Sequence, residues 1–87
     1  MRTTVVNVRN EKPDVYIGRP SKWGNPFVLG HDGDRERVIA LYRNWLMNKK
    51  ELLQDIHELR GKTLGCFCKP KACHGDVLAE LANGEMK

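Results

Sequence analysis

At 87 residues the chain has room for one small hydrophobic core, and 40% apolar with 30% charged residues describes a folded protein rather than a disordered one. The formal charge of +4 favours anionic partners: nucleotides, nucleic acid or phosphorylated metabolites. No apolar run approaches the ~20 residues of a membrane span, and residues 1–7 carry no signal-peptide pattern, so no membrane partner is expected and the expected setting is a cytoplasm where thiols stay reduced.

In chain order, the β-branched residues 3–8 predict a strand, and Val15, Tyr16 and Ile17 predict a second short one. The turn-forming residues 10–14 between them suggest a hairpin. Residues 18–27 (GRPSKWGNPF) hold two prolines and two glycines and cannot be a helix interior; they read as a shaped loop. His31, Asp32, Gly33 and Asp34 then offer a turn and an N-cap. Val38, Leu41, Tyr42, Trp45 and Leu46 follow on one face of a helix, with Arg35, Glu36, Arg43 and Asn44 opposite. Residues 51–60 form a second helical stretch, with Gly61 just past its end. Residues 62–68 predict a strand with Leu64, Cys66 and Cys68 on one face and Phe67 on the other. Gly75 and Asp76 can cap a last helix over residues 77–82, which Asn83 and Gly84 stop. This order predicts an α/β fold: a single small domain over residues 1–87, with a short sheet of about three strands covered by about three helices.

All three cysteines fall within residues 66–73, followed at once by His74. An odd number of cysteines argues against a disulfide framework, and three uses remain for the cluster. Cys66, Cys68, Cys73 and His74 supply the soft and borderline ligands of a zinc site, although the spacing lacks the common C-x2-C pair. Alternatively, the end of a strand and the start of a helix bracket an anion pocket, to which Lys69, Lys71 and Gly75 contribute. The positive helix end would then lower the pKa of Cys73, and His74 and Asp76 would complete the reactive end with it. The third use is core packing, the preferred account of Cys66 alone.

The loop of residues 18–27 supplies a second set of polar groups. Gly18 leads into Arg19 and Lys22, which suit phosphate; Ser21 adds a hydroxyl; Trp23 offers a flat stacking surface or a core plug; Asn25 can orient a ligand. His31, Asp32 and His57 read as structural or exposed. Asp32-Gly33-Asp34 lacks the further ligands of a calcium loop.

Residues 18–27 joined to LGCFCKP (64–70) and CHGDVL (73–78) resemble a known family, the small phage and prokaryotic proteins of domain of unknown function number 4326. The resemblance covers nearly the whole chain, with Phe67 where a Trp is expected in many relatives. It implies a compact domain in a phage or prokaryotic setting, hence a host cytoplasm if phage-encoded, and no established activity. Its two motifs are the two loops that the residues themselves single out. The resulting expectation is one site between them for a nucleotide-like or phosphorylated ligand, with action on that ligand left open. The alternative is a zinc-stabilised module that binds a host protein or nucleic acid. Nonspecific DNA binding, which would show a steep salt dependence, ranks lower at this net charge.

Overall fold

The computed structural model describes residues 2–69 and 71–84. It is a mixed α/β arrangement of three strands and three helices: β1 (Thr4–Asn7), β2 (Val15–Tyr16), α1 (Arg35–Met47), α2 (Lys50–Asp55), β3 (Thr63–Cys66) and α3 (His74–Ala82). The second helical stretch expected over residues 51–60 divides, since α2 passes into a 3₁₀ turn at Ile56–Leu59. That turn buries Ile56 and Leu59 and ends at Gly61, whose φ of 70° is the left-handed geometry expected of a residue closing a helix.

The expected hairpin does not form. β3 lies between β1 and β2 and pairs with both in parallel, giving the order β1-β3-β2. Val5 and Val15 both oppose Leu64, while Val6 and Tyr16 both oppose Gly65. Two parallel strands on either side of a third need a connection that runs back across it, normally a dozen or more residues long. Here residues 8–14 make the crossing by lying directly on β3. Asp14 N–H donates to Thr63 O at 2.9 Å, and the Asp14 carboxylate accepts from Thr63 N–H at 2.9 Å. Val8 and Pro13 rest on the bare Cα of Gly65.

A parallel sheet has one functional consequence. The segments leaving β1, β2 and β3 all start at the same edge of the sheet, so the loop after β2 and the loop after β3 are neighbours. Had β2 run antiparallel to β3, they would have emerged at opposite ends.

The helices cover the other face. α3 packs on β1 and β3, and α1 packs against α3. Between these layers lies a core of Ile17, Trp23, Tyr42, Leu46, Ile56, Leu59, Leu64, Cys66, Cys73, Val77, Leu78 and Ala82. The periodic face read in α1 is the buried one, with Val38, Tyr42 and Leu46 innermost. Asp34 caps that helix by accepting from Arg37 N–H at 2.8 Å. Near the termini, Thr3 and Asn83 exchange backbone-to-side-chain hydrogen bonds of 2.8 and 3.0 Å, tying the chain before β1 to the end of α3. No helix among the described residues is long and apolar enough to cross a membrane.

Candidate functional site

The loop after β2 is two successive turns. Ser21 N–H donates to Gly18 O and Gly24 N–H to Ser21 O, at 2.9 and 3.0 Å, and the Arg19–Pro20 peptide is cis. Gly24 passes so close to Arg19 that a Cβ on it would lie 2.9 Å from Arg19 Cγ and 3.2 Å from the Arg19 backbone. The fold of the loop thus fixes where the Arg19 side chain leaves it. Asn25 locks the loop to α1: its Oδ1 accepts from Phe27 N–H at 2.9 Å and its Nδ2 donates to Val38 O at 3.3 Å.

The loop after β3 is held from three sides. Asn7, at the end of β1, donates through Nδ2 to Phe67 O and Lys69 O at 3.3 and 2.7 Å. Arg35, the first residue of α1, donates through Nη1 to Ala72 O at 3.1 Å. Cys73 then caps α3, with its Sγ accepting from Gly75 N–H at 3.2 Å while Asp76 accepts from Cys73 N–H at 3.1 Å. This is a reciprocal capping box with a thiol in the place usually taken by a hydroxyl. The helix therefore begins at His74, and the expected capping role of Gly75 belongs to Cys73. The strand is also shorter than residues 62–68, which leaves Cys68 in the loop.

Between the two loops lies a cleft of about 450 Å³. Of the residues expected to form the site, Gly18, Arg19, Asn25, Cys66, Cys68, Cys73 and His74 line it. Its walls also include Tyr16, Phe27, Leu29, Val38, Ile39 and Phe67, and a second arginine, Arg35. None of the described residues lining the cleft is a carboxylate.

The remaining expected residues lie elsewhere. Lys22 turns away to Asp55 and Glu58, at 2.9 and 3.1 Å, and those hydrogen bonds raise its pKa. Trp23 is a core residue, 3% exposed, and its carbonyl accepts from Tyr42 Oη at 2.8 Å. Ser21 Oγ is buried without a hydrogen-bond partner. Gly75 packs on Ile17 and Val5. Lys69 and Asp76 pair at 2.6 Å in a more open depression with Thr4, Glu80 and Asn83. Burial is the largest single influence on Lys69 and opposes its charge, but the hydrogen bond and negative charge of Asp76, with smaller contributions from Cys73 and Cys66, together outweigh it, so the Lys69 pKa rises.

The electrostatics of the floor differ from expectation. Cys73 is buried and its Sγ lies 3.2 Å from the Sγ of Cys66. Burial, reinforced by that contact, pushes its pKa up rather than down. Desolvation of the charged form outweighs the helix end here. Cys73 is thus a neutral thiol at neutral pH. His74 is also buried; its Nε2 donates to Ile17 O at 2.8 Å and its ring meets Tyr42 edge-on at 4.9 Å. Burial lowers the His74 pKa, and the charge of Arg19 adds to that, against the opposing pull of the Ile17 and Trp23 carbonyls and Asp76.

As for metal, Cys66 and Cys73 are in contact, but His74 Nε2 is committed to Ile17. Among the described residues no group of three or more Cys, His, Asp or Glu side chains is gathered around one point.

The His74 shift has a measurable consequence. An imidazole that resists protonation in the fold but titrates near 6.5 when unfolded makes the unfolded state bind more protons below that value. Stability from this group is therefore full above 6.5 and is lost as the pH falls from there toward the folded pKa. Urea midpoints should drop between pH 7.5 and pH 5, approximate limits set by the ordinary histidine range, and the drop should flatten in His74→Gln. Parallel profiles for the two proteins would count against the assignment.

Arg35 and the aromatic rim escape a reading of the sequence. Arg35 lies on the helix face opposite the apolar stripe, where a charge is ordinarily solvated; only its position at the first turn brings it to the cleft.

No solved structure matches this chain. Among curated proteins it is 40% identical over 84 residues to an uncharacterized 12.4 kDa protein encoded in the nrdA-td intergenic region of Enterobacteria phage T4, covering 91% of this chain and 76% of that one. It is 37% identical over 86 residues to the uncharacterized protein R718 of Acanthamoeba polyphaga mimivirus, covering 78% of this chain and 65% of the relative, just under two thirds of its length. The model of the family described as "Domain of unknown function (DUF4326)" matches residues 2–84, taking in both loops and the sheet edge that joins them, and the chain belongs to that family.

Proposed function

We propose that the cleft binds a nucleotide-like or phosphorylated small molecule. The observation carrying this reading is the pair Arg19 and Arg35 in one mostly apolar cleft whose described lining residues include no carboxylate. Two guanidiniums can hold a phosphate through charge-assisted hydrogen bonds, and the apolar walls suit a base or another flat group. The volume falls in the range of small-molecule sites. The sheet edge agrees, because ligands of parallel α/β sheets collect outside the carboxyl ends of the strands.

The reading is of binding rather than covalent catalysis. Cys73 is a protonated thiol with its sulfur already accepting from Gly75, and His74 is neutral and engaged with Ile17. The setting we infer is a cytoplasm in which these thiols stay reduced.

Thermal melting with nucleoside monophosphates, sugar phosphates and inorganic phosphate tests the proposal. A ligand at about a hundred times its Kd adds ~2.7 kcal/mol, which raises Tm by roughly 10–20 °C in a domain of this size. No rise with any of these anions at millimolar concentration would refute it.

A further inference from the structure

One part of the cleft wall carries a pair of rings that core packing does not explain. Phe67 is 55% exposed and Tyr16 is 39% exposed, and their rings meet edge to face at 6.1 Å and 77°. The Arg9 guanidinium lies 5.7 Å from the centre of the Phe67 ring. Tyr16 is laid over the bare Cα of Gly18, where any Cβ would strike its phenol, so the glycine that opens the β2 loop leaves room for the ring in this position. Two exposed aromatic rings in the wall of a basic cleft, one of them with a cation over it, form a ledge for a flat partner.

Size decides how ledge and cleft are used together. About 450 Å³ is near the lower end for small-molecule sites and accommodates one nucleotide rather than two. A neighbouring nucleotide would have to extend onto the exposed part of the wall, where Tyr16 and Phe67 present ring surface to solvent. A base can stack there only if unpaired, and stacking on an aromatic ring tolerates any base.

We propose that the ligand of this site is a single strand of nucleic acid. One nucleotide occupies the cleft with a phosphate on Arg19 and Arg35, and the adjoining base stacks on the Tyr16–Phe67 ledge beside Arg9. This inference rests on the cleft reading above and narrows it from any phosphorylated molecule to a polynucleotide.

The test compares a fluorescent oligothymidylate of roughly ten nucleotides, within the site sizes of single-strand binders, with thymidine monophosphate and with a duplex of the same length. The oligomer should bind at least about tenfold tighter than the monophosphate, from the stacking of a second base, and tighter than the duplex. Phe67→Ala should cut oligomer affinity roughly tenfold and pull the oligomer-to-monophosphate ratio toward one, while Phe67→Trp keeps the ratio. Arg9→Ala should reduce the slope of log affinity against log salt for the oligomer by about one. Because Phe67 is exposed, the melting temperature of its variants serves as the folding control. A monophosphate that binds while the oligomer gains nothing, a duplex that binds as tightly as the strand, or a ratio indifferent to Phe67→Ala would overturn the polynucleotide inference and leave the cleft reading standing. Absence of binding by both would remove both.

Discussion

Gly65→Ala should melt roughly 10 °C below the parent protein, a large effect for one methyl group in a strand. Gly65 is in the central strand, opposite Val6 on one side and Tyr16 on the other. The connection from β1 to β2 crosses the sheet over it. A Cβ there would lie 2.5 and 2.6 Å from Pro13 Cγ and Cβ, and 2.6 Å from Val8 Cγ1. Carbon atoms at rest keep about 3.5–4.0 Å apart. The neighbours cannot easily retreat. Pro13 is a rigid ring, Val8 N–H is tied to Cys66 O at 3.0 Å, and Asp14 is bonded twice to Thr63.

Alanine in place of glycine ordinarily gains ~0.4–1 kcal/mol by restricting the unfolded chain. Overpacking of a well-filled interior costs ~1–3 kcal/mol and sometimes more; contacts of 2.5 and 2.6 Å with tethered neighbours put this site at the upper end, so the clash wins by about 2 kcal/mol. At 4–8 °C per kcal/mol for a domain of this length, that gives a fall on the order of 8–16 °C. Thermal circular dichroism measures it directly. An unchanged or raised Tm would mean that residues 8–14 do not cross β3 in contact with Gly65.

The second large effect is on binding. Arg19→Ala combined with Arg35→Ala should weaken the cleft ligand by at least about a hundredfold, since hydrogen bonds to charged groups contribute ~1.5–3 kcal/mol each. Arg19 is exposed, and Arg35 gives up one bond, to Ala72 O, so the fold should survive. Lys22→Ala is the matched control. It removes a cation from the same loop, but one that faces Asp55 and Glu58; affinity should stay within about twofold, since long-range charge at such an exposed position is screened. Calorimetric titration of the three proteins separates the outcomes. Equal losses in the double variant and in Lys22→Ala would indicate a diffuse charge effect and no built site.

These two effects also mark where the sequence was legible and where it was not. The strands and the apolar face of α1 could be read because β-branched runs and 3.6-residue spacing are local signals. Both loops could be read because proline, glycine and clustered polar residues cannot continue a helix or strand. The parallel order could not. Residues 8–14 look like a hairpin connection, and only the insertion of β3, far along the chain, turns them into a crossing over Gly65. Gly65 itself gave no sign in the sequence of being covered from above.

Within the site, residue type proved a better guide than direction. Arg19 and Lys22 are near neighbours in an irregular loop, which has no periodicity to say which one faces the cleft. Cysteine is an unusual cap, so the sequence points to Gly75 and Asp76 as the helix start, although Asp76 does close the capping box as its fourth member. The expected activation of Cys73 failed because burial, which a linear sequence does not display, outweighs the helix end that it does.

The most direct test of the central claim is where a ligand lands. Amide chemical shifts followed while a nucleoside monophosphate is titrated should move at Gly18, Arg19, Phe67, Ala72 and Cys73, around the shared edge of the parallel sheet. Shifts confined to Thr4, Lys69, Glu80 and Asn83, in the depression flanking α3, would contradict the account.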